Sequence, residues 1–289
     1  MVLGRKNWLP KGSFEKINRL ILYVTLPAIT LAKISQMHLG WQHIIPAATI
    51  WSMLLLAGVF FAILGYFFHW DKKTWAALTL GCGFANTSFV GFPVTEILYG
   101  QEGLKYAILV DQTGSFAALC TLGIIVASYG SGVKISFGKM LLRLVKFPAF
   151  TCFFIALFVP AQRFHLQLLS HLQLIDIFDF IGSWTNPLAF LSIGMQFTFS
   201  FKEVDMKQFG FGLLYKLALI PLFFFILFKT VHLNGLLYDV TILELAMPPM
   251  ITSSIIATEY GLSPKLSSAL INYGMPISIL TLTAWAFLI

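Results

Sequence analysis

The sequence predicts an all-α polytopic membrane protein, built as a five-plus-five helix inverted repeat with two crossing broken helices. Nine of the ten spans fall within the chain. Composition, the length of the apolar runs and an internal repeat carry this expectation. Of 289 residues, 58% are hydrophobic and 11% charged, against about 45–50% and about 25% in soluble domains. A water-soluble fold of this size cannot hide so much apolar surface, and so apolar a chain does not stay disordered. The runs are continuous and roughly 20 residues each, the length at which a helix crosses a bilayer, without the alternation of barrel strands.

The spans are expected at 17–36, 44–68, 75–99, 104–128, 141–160, 173–199, 209–231, 241–260 and 266–289. Before the fifth, residues 134–146 mix Lys139, Arg143 and Lys146 with Met140, Leu141, Leu142 and Leu144, which predicts a basic amphipathic stretch at the membrane surface. The lysines and arginines sort by side. Fourteen fall in one set of alternating loops and four (Lys33, Lys105, Arg163 and Lys229) in the other, with Lys216 inside a span. Positive charge marks the cytoplasmic side, which places the N-terminal loop there and the C-terminus outside. The net charge of +7 is then a topology signal facing anionic lipid, and nucleic acid is not expected as a partner. Cys82, Cys120 and Cys152 lie in apolar runs without metal or disulfide spacing, so no metal is expected.

Shifted by 160, Ile17, Ile21, Thr25, Pro27 and Leu31 fall on Ile177, Ile181, Thr185, Pro187 and Leu191. Shifted by 161, Tyr99, Gly100 and Leu109 fall on Tyr260, Gly261 and Leu270, and Asp111 on Asn272. The two copies begin on opposite sides of the membrane, so the repeat is inverted. It divides the chain into 1–129 (N-terminal repeat), 130–146 (amphipathic cytoplasmic linker) and 147–289 (C-terminal repeat). The 141–160 span has no partner in the first half, and the missing first helix is expected upstream of Met1.

Two spans are interrupted. The third reads Gly81-Cys82-Gly83-Phe84-Ala85-Asn86-Thr87-Ser88-Phe89-Val90-Gly91-Phe92-Pro93, and the eighth Met247-Pro248-Pro249-Met250-Ile251-Thr252-Ser253-Ser254. Glycine and proline weaken a helix, and hydrocarbon cannot satisfy the freed backbone groups, so such breaks belong against protein or a wet cavity. Paired breaks in equivalent spans point to a transporter's binding site. The free N–H groups of a half-helix carry partial positive charge and suit a carboxylate. Asn86, Thr87, Ser88, Thr252, Ser253 and Ser254 add uncharged donors. Close packing of small residues is the competing reading for either motif alone.

Ionisable residues within spans are functional candidates because burying them is costly. Asp111, with Gln112 beside it, is expected to couple or gate transport by protonation, with a structural hydrogen-bond or ion-pair role near the interface as the alternative, and Asn272 is its neutral counterpart. Lys216 is expected to snorkel toward the cytoplasm; otherwise it pairs with Asp111 or attracts an anion. Asn186-Pro187 and Leu26-Pro27 predict matched kinks, with Asn186 lining the cavity as the alternative. No zinc-protease motif, nucleophile elbow, Walker loop or potassium filter occurs in the sequence.

The run Asn86-Thr87-Ser88-Phe89-Val90-Gly91-Phe92-Pro93 resembles the first crossover of the auxin efflux carrier family, which includes plant exporters and bacterial organic-anion permeases. Leu26-Pro27-Ala28, Asp111-Gln112 and Pro248-Pro249 are similar to that family too, and the resemblance covers essentially the whole chain. It implies ten helices in two inverted repeats, a scaffold and a transport domain, elevator-like or rocking motion and a homodimer. It places substrate near Asn86, Thr87, Gly91 and Pro93, with Pro248, Pro249 and Ser253 opposite. Ser253-Ser254 stands where some relatives have a proline, which implies a softer second break. The short loop between the halves implies a bacterial permease.

The expected function is secondary transport of small organic anions, such as mono- or dicarboxylates, across a bacterial cytoplasmic membrane. Coupling to protons or to the membrane potential is expected, with sodium ranked lower, and no cofactor. The alternatives are an intramembrane enzyme, a channel or transporter-derived sensor, and a relative of the bile-acid/sodium symporter fold.

Overall fold

A computed structural model describes residues 13–37, 40–133, 137–159, 167–169, 172–196 and 204–289. The chain is helical almost throughout. Helix α1 (Ser13–Leu20) passes through a π-helical turn at Ile21–Thr25 into α2 (Leu26–Ile34), and α3 (Ile44–Phe68) is one unbroken rod. Helix α4 (Lys72–Cys82) stops, and the chain resumes through a π turn at Thr87–Gly91 into α5 (Phe92–Leu109). Further π turns at Val110–Phe116 and Leu119–Gly123 lead to α6 (Ile124–Ser131). Then come α7 (Phe137–Lys146), α8 (Pro148–Phe158), a small antiparallel pair β1 (Gln167–Leu169) and β2 (Leu172–Gln173), α9 (Leu174–Ser183) and α10 (Thr185–Gln196). Helix α11 (Met206–Leu214) runs through a π turn at Tyr215–Leu219 into α12 (Ile220–Thr230). The last three are α13 (Leu236–Ala246), α14 (Ile251–Glu259) and α15 (Pro264–Leu288).

Prolines explain several of these boundaries. The turns at Ile21–Thr25, Thr87–Gly91 and Tyr215–Leu219 each end two residues before a proline: Pro27, Pro93 and Pro221. A proline ring crowds the carbonyl four residues back and supplies no N–H, and a wide turn upstream makes room for it. Phe147 is extended (φ −85°, ψ 112°), as a residue before proline is steered to be. The fifth span was expected to start at 141; instead α7 stays a separate basic helix, and the apolar helix begins at Pro148. The kink expected at Asn186-Pro187 falls at Trp184, between α9 and α10.

Among the described residues, five helical stretches are long and apolar enough to cross a membrane, and the longest, Thr87–Ser131, has 45 residues. At about 1.5 Å per residue that is far more than one bilayer crossing. Gly100 divides it, with φ 64° and ψ −159°, a conformation open only to glycine. The third and fourth expected spans therefore meet at a single residue. Large apolar side chains line the exterior as well as the core: Tyr66 is 81% exposed, Leu280 75% and Phe287 88%, while Phe61 and Leu78 are fully buried. That distribution suits lipid, not water.

The chain divides into two compact units, each drawing on both halves of the sequence. One comprises Met1–Gly40 and Leu142–Phe197. In it α2 packs against α8 and α9. Helix α9 comes so close at Gly182 that a β-carbon there would lie 2.8 Å from the Ile29 backbone. Lys33, expected in a loop, is in the last turn of α2, buried, and paired with Asp179 at 2.5 Å. The other unit comprises Trp41–Leu141 and Thr198–Ile289. Its centre is α4, packed against α3, α6, α11, α14 and α15. Aromatic donors there close on backbone carbonyls: Trp75 Nε1 on Gly58 at 2.9 Å and Trp51 Nε1 on Thr113 at 3.0 Å.

Candidate functional site

Both broken spans belong to this second unit. The first is unwound from Gly83 to Asn86, and the second from Met247 to Met250. In the second, Met247 (ψ 153°) and Met250 (ψ 129°) are extended at either end of a proline pair. Extended backbone forms no i→i+4 bond, so the Pro248 carbonyl is left for a donor from outside the segment. The first break supplies it. The Asn86 N–H donates to the Pro248 carbonyl at 2.8 Å, and Ala85 bridges Pro249 in antiparallel fashion. The two interruptions meet, and each satisfies backbone groups that the other exposes.

Asn86 caps the π turn that follows, its Oδ1 accepting the Phe89 N–H at 3.3 Å. Its Nδ2 is buried and has no partner among the described residues. The next two hydroxyls turn to Asp111: Thr87 Oγ1 and Ser88 Oγ both donate to its Oδ1 at 2.5 Å. Gln112 Nε2 donates to Asp111 Oδ2 at 2.8 Å, and Gln112 Oε1 is unpartnered among the described residues. Asp111 thus receives three donors, which between them serve both of its oxygens.

A second carboxylate closes the site. Glu244 lies on α13, four residues before Pro248, and is fully buried. Its Oε1 accepts from Thr95 Oγ1 at 2.9 Å, while Oε2 has no partner among the described residues. The carboxylate packs on Gly91, where a β-carbon would lie 2.7 Å from Glu244 Cδ. Sequence reasoning passed over both Glu244 and Thr95. The readable signal was an acid within an apolar run one helical turn before Pro-Pro.

Lys216 does not snorkel. It is fully buried, and its Nζ donates to the Leu245 carbonyl at 2.5 Å, with no ion pair to Asp111. Helix α13 ends at Ala246, so the Leu245 carbonyl is one of the acceptors a helix C-terminus leaves open, and the dipole there favours a cation.

The remaining expected residues spread out. Pro93 is buried at the start of α5, and Ser253 spends its hydroxyl on the Met250 carbonyl at 2.9 Å. Ser254 Oγ, in the first turn of α14, is buried without a partner among the described residues, and Thr252 is half-buried. Asn272 is half-buried on α15, whose Gly274 lies against Pro249. Asn186 is buried on α10, in the other unit.

Two half-helix N-termini thus start at one crossing, beside unpartnered donors and a small set of buried charges. Apolar helices around such a crossing define a polytopic transport protein. The comparisons agree. The chain belongs to the membrane transport protein family, whose sequence profile matches residues 2–286. It is 24% identical to an uncharacterized transporter of Methanocaldococcus jannaschii, covering 94% of this chain and 89% of the relative. It is 25% identical to auxin efflux carrier component 5 of Arabidopsis thaliana, over 94% of this chain and 87% of that protein. An uncharacterized transporter of Escherichia coli is 22% identical, over 98% and 91%. The protein is a membrane transporter and not an enzyme, and the resemblance to the auxin efflux carrier family holds.

Proposed function

We propose that this transporter is a secondary carrier of small organic anions, such as mono- or dicarboxylates, which bind where the two broken helices cross. The observation that carries the reading is the joined pair of breaks: Asn86 N–H on the Pro248 carbonyl, with the buried donors Asn86 Nδ2 and Ser254 Oγ unpartnered beside them. Those donors and the N-terminal N–H groups of α14 offer partial positive charge, which holds an anion yet lets it leave. Pro249, Thr252, Ser253 and Asn272 complete the surroundings. Asp111 fixes Thr87 and Ser88 and gates the site through them.

The architecture proposed for this carrier is an inverted repeat of five plus five helices, acting by alternating access in a bacterial cytoplasmic membrane as a homodimer. The C-terminus is outside. Support for the repeat comes from Gly100 and Gly261, related by the 161-residue offset, which share a left-handed φ of 64° and 66°. A plant relative that carries the name of an efflux carrier supports an organic solute.

The test is counterflow of labelled acetate, lactate, malonate, succinate and phenylacetate in proteoliposomes. At least one is expected to exchange, and Asn86→Ala is expected to slow it about tenfold, the cost of losing a charge-assisted contact of ~1.5 kcal/mol. Asp111→Asn is expected to weaken exchange through Thr87 and Ser88. No exchange of any carboxylate, or exchange untouched by Asn86→Ala, sinks the reading.

A further inference from the structure

We propose that Glu244 is the proton-binding residue of the transport cycle, an assignment that rests on the transport reading above. Two buried carboxylates stand at the crossing, and their surroundings differ. Asp111 accepts from Thr87, Ser88 and Gln112, so both of its oxygens are served as an anion's are. Among the described residues Glu244 accepts from Thr95 alone, and its Oε2 is fully buried without a donor. A buried carboxylate oxygen with nothing to donate to it is disfavoured as an ion and satisfied by its own proton.

The charges facing Glu244 follow from the elements packed on α13. Helix α5 and the π turn before it bring Thr95 and Gly91, which carry no charge. The turn at Tyr215–Leu219 brings Lys216, and Asp111 acts on Glu244 across the site. The nearest acid on α13 itself, Asp239, feels Lys229 of α12 instead. Helix α3 carries no charged residue, and the one on α15 is Lys265, in its first turn.

Asp111 and Lys216 cancel when both are ionised. Glu244 then sets the charge of the site: neutral when protonated, one negative charge when not. An arriving organic anion adds another. Binding of the anion and binding of a proton at Glu244 therefore favour each other, and linkage makes the effect equal in both directions. Position supports the same role. Glu244 is on the second half of the crossing, yet its carboxylate rests on Gly91 of the first, so its charge is felt by both broken helices at once.

Two measurements on the reconstituted full chain test this. The first is infrared difference spectroscopy as pH is raised stepwise from acid to alkaline, with no substrate present. Wild type is expected to lose a buried-carboxyl C=O band that is absent from Glu244→Gln and present, shifted, in Glu244→Asp. The second is accumulation of whichever panel carboxylate exchanges, driven by an acid-outside gradient. One proton per anion gives about tenfold accumulation per pH unit in wild type, retained by Glu244→Asp. In Glu244→Gln the ratio is expected to fall to about one whatever its rate. A carboxyl band that survives Glu244→Gln overturns the assignment, as does full accumulation by that variant or accumulation that follows sodium instead of pH. If no carboxylate exchanges in wild type, the transport reading fails, and the infrared titration still decides Glu244.

Discussion

Gly91 and Gly100 are both glycines, for opposite reasons. Gly91 has ordinary helical angles (φ −60°, ψ −51°) and no space, because the Glu244 carboxylate occupies the place of a side chain. Gly100 has open space around it and a backbone no other residue adopts cheaply. Alanine should therefore destabilise at both positions by about 1–3 kcal/mol, through overpacking at Gly91 and strain at Gly100. The distinction is functional. Gly91→Ala must push Glu244 off Thr95 and is expected to disturb transport along with melting temperature; Gly100→Ala should lower melting temperature with a smaller effect on exchange. Tryptophan-fluorescence melts in detergent beside counterflow assays check both. Equal effects of the two variants on exchange would refute the close approach of Gly91 to Glu244.

Among the elements, α4 shows how a helix start is fixed outside the bilayer. Asp71 is its N-cap, accepting the Thr74 N–H at 2.8 Å. Hydrogen bonds from the Thr74 side chain and backbone, aided by Lys73, hold the Asp71 carboxyl below its ordinary range. A depressed value means the carboxylate's contribution is complete above the unfolded value of about 3.9 and is lost as pH falls through the folded one. Asp71→Ala should cost ~1 kcal/mol at neutral pH, and the gap to wild type should close in acid. Melting curves at both pH values check this; a gap that stays constant with pH counts against the cap.

The same elements show what could be read in advance. The breaks at 83–86 and 247–250 were legible because glycine and proline act locally, on their own backbone. The uninterrupted α3 was legible because its only proline, Pro46, is in the first turn and its glycines, Gly58 and Gly65, stand apart with no proline beside them. Glu244 was missed because its meaning comes from Gly91 and Thr95, about 150 positions away in sequence. Lys33 was read as a loop charge because only the fold brings Asp179 to it. Lys216 was read as reaching water because the open carbonyl that holds it exists only where α13 ends.

At the scale of the whole molecule, each compact unit combines segments from both halves of the chain, and both breaks fall in the same unit. The bridge between Ala85 and Pro249 then belongs to one body. Bridged antiparallel partners lie about 4.5–5.5 Å apart, within reach of a disulfide. Joining Ala85→Cys and Pro249→Cys by oxidation is expected to leave most of the exchange rate intact, read as counterflow before and after reduction. Exchange that stops on oxidation and returns on reduction would mean the two breaks part company during each cycle.

The wide turns ahead of Pro27, Pro93 and Pro221 have a further bearing on how such a body deforms. Each holds one residue more than a regular coil of the same height. Slack of that kind can be passed along a rod a step at a time, rotating the side chains it crosses while the two ends stay put. The stretch ahead of Pro93 carries Thr87 and Ser88, so a shift there would turn both hydroxyls away from Asp111 without lengthening the span.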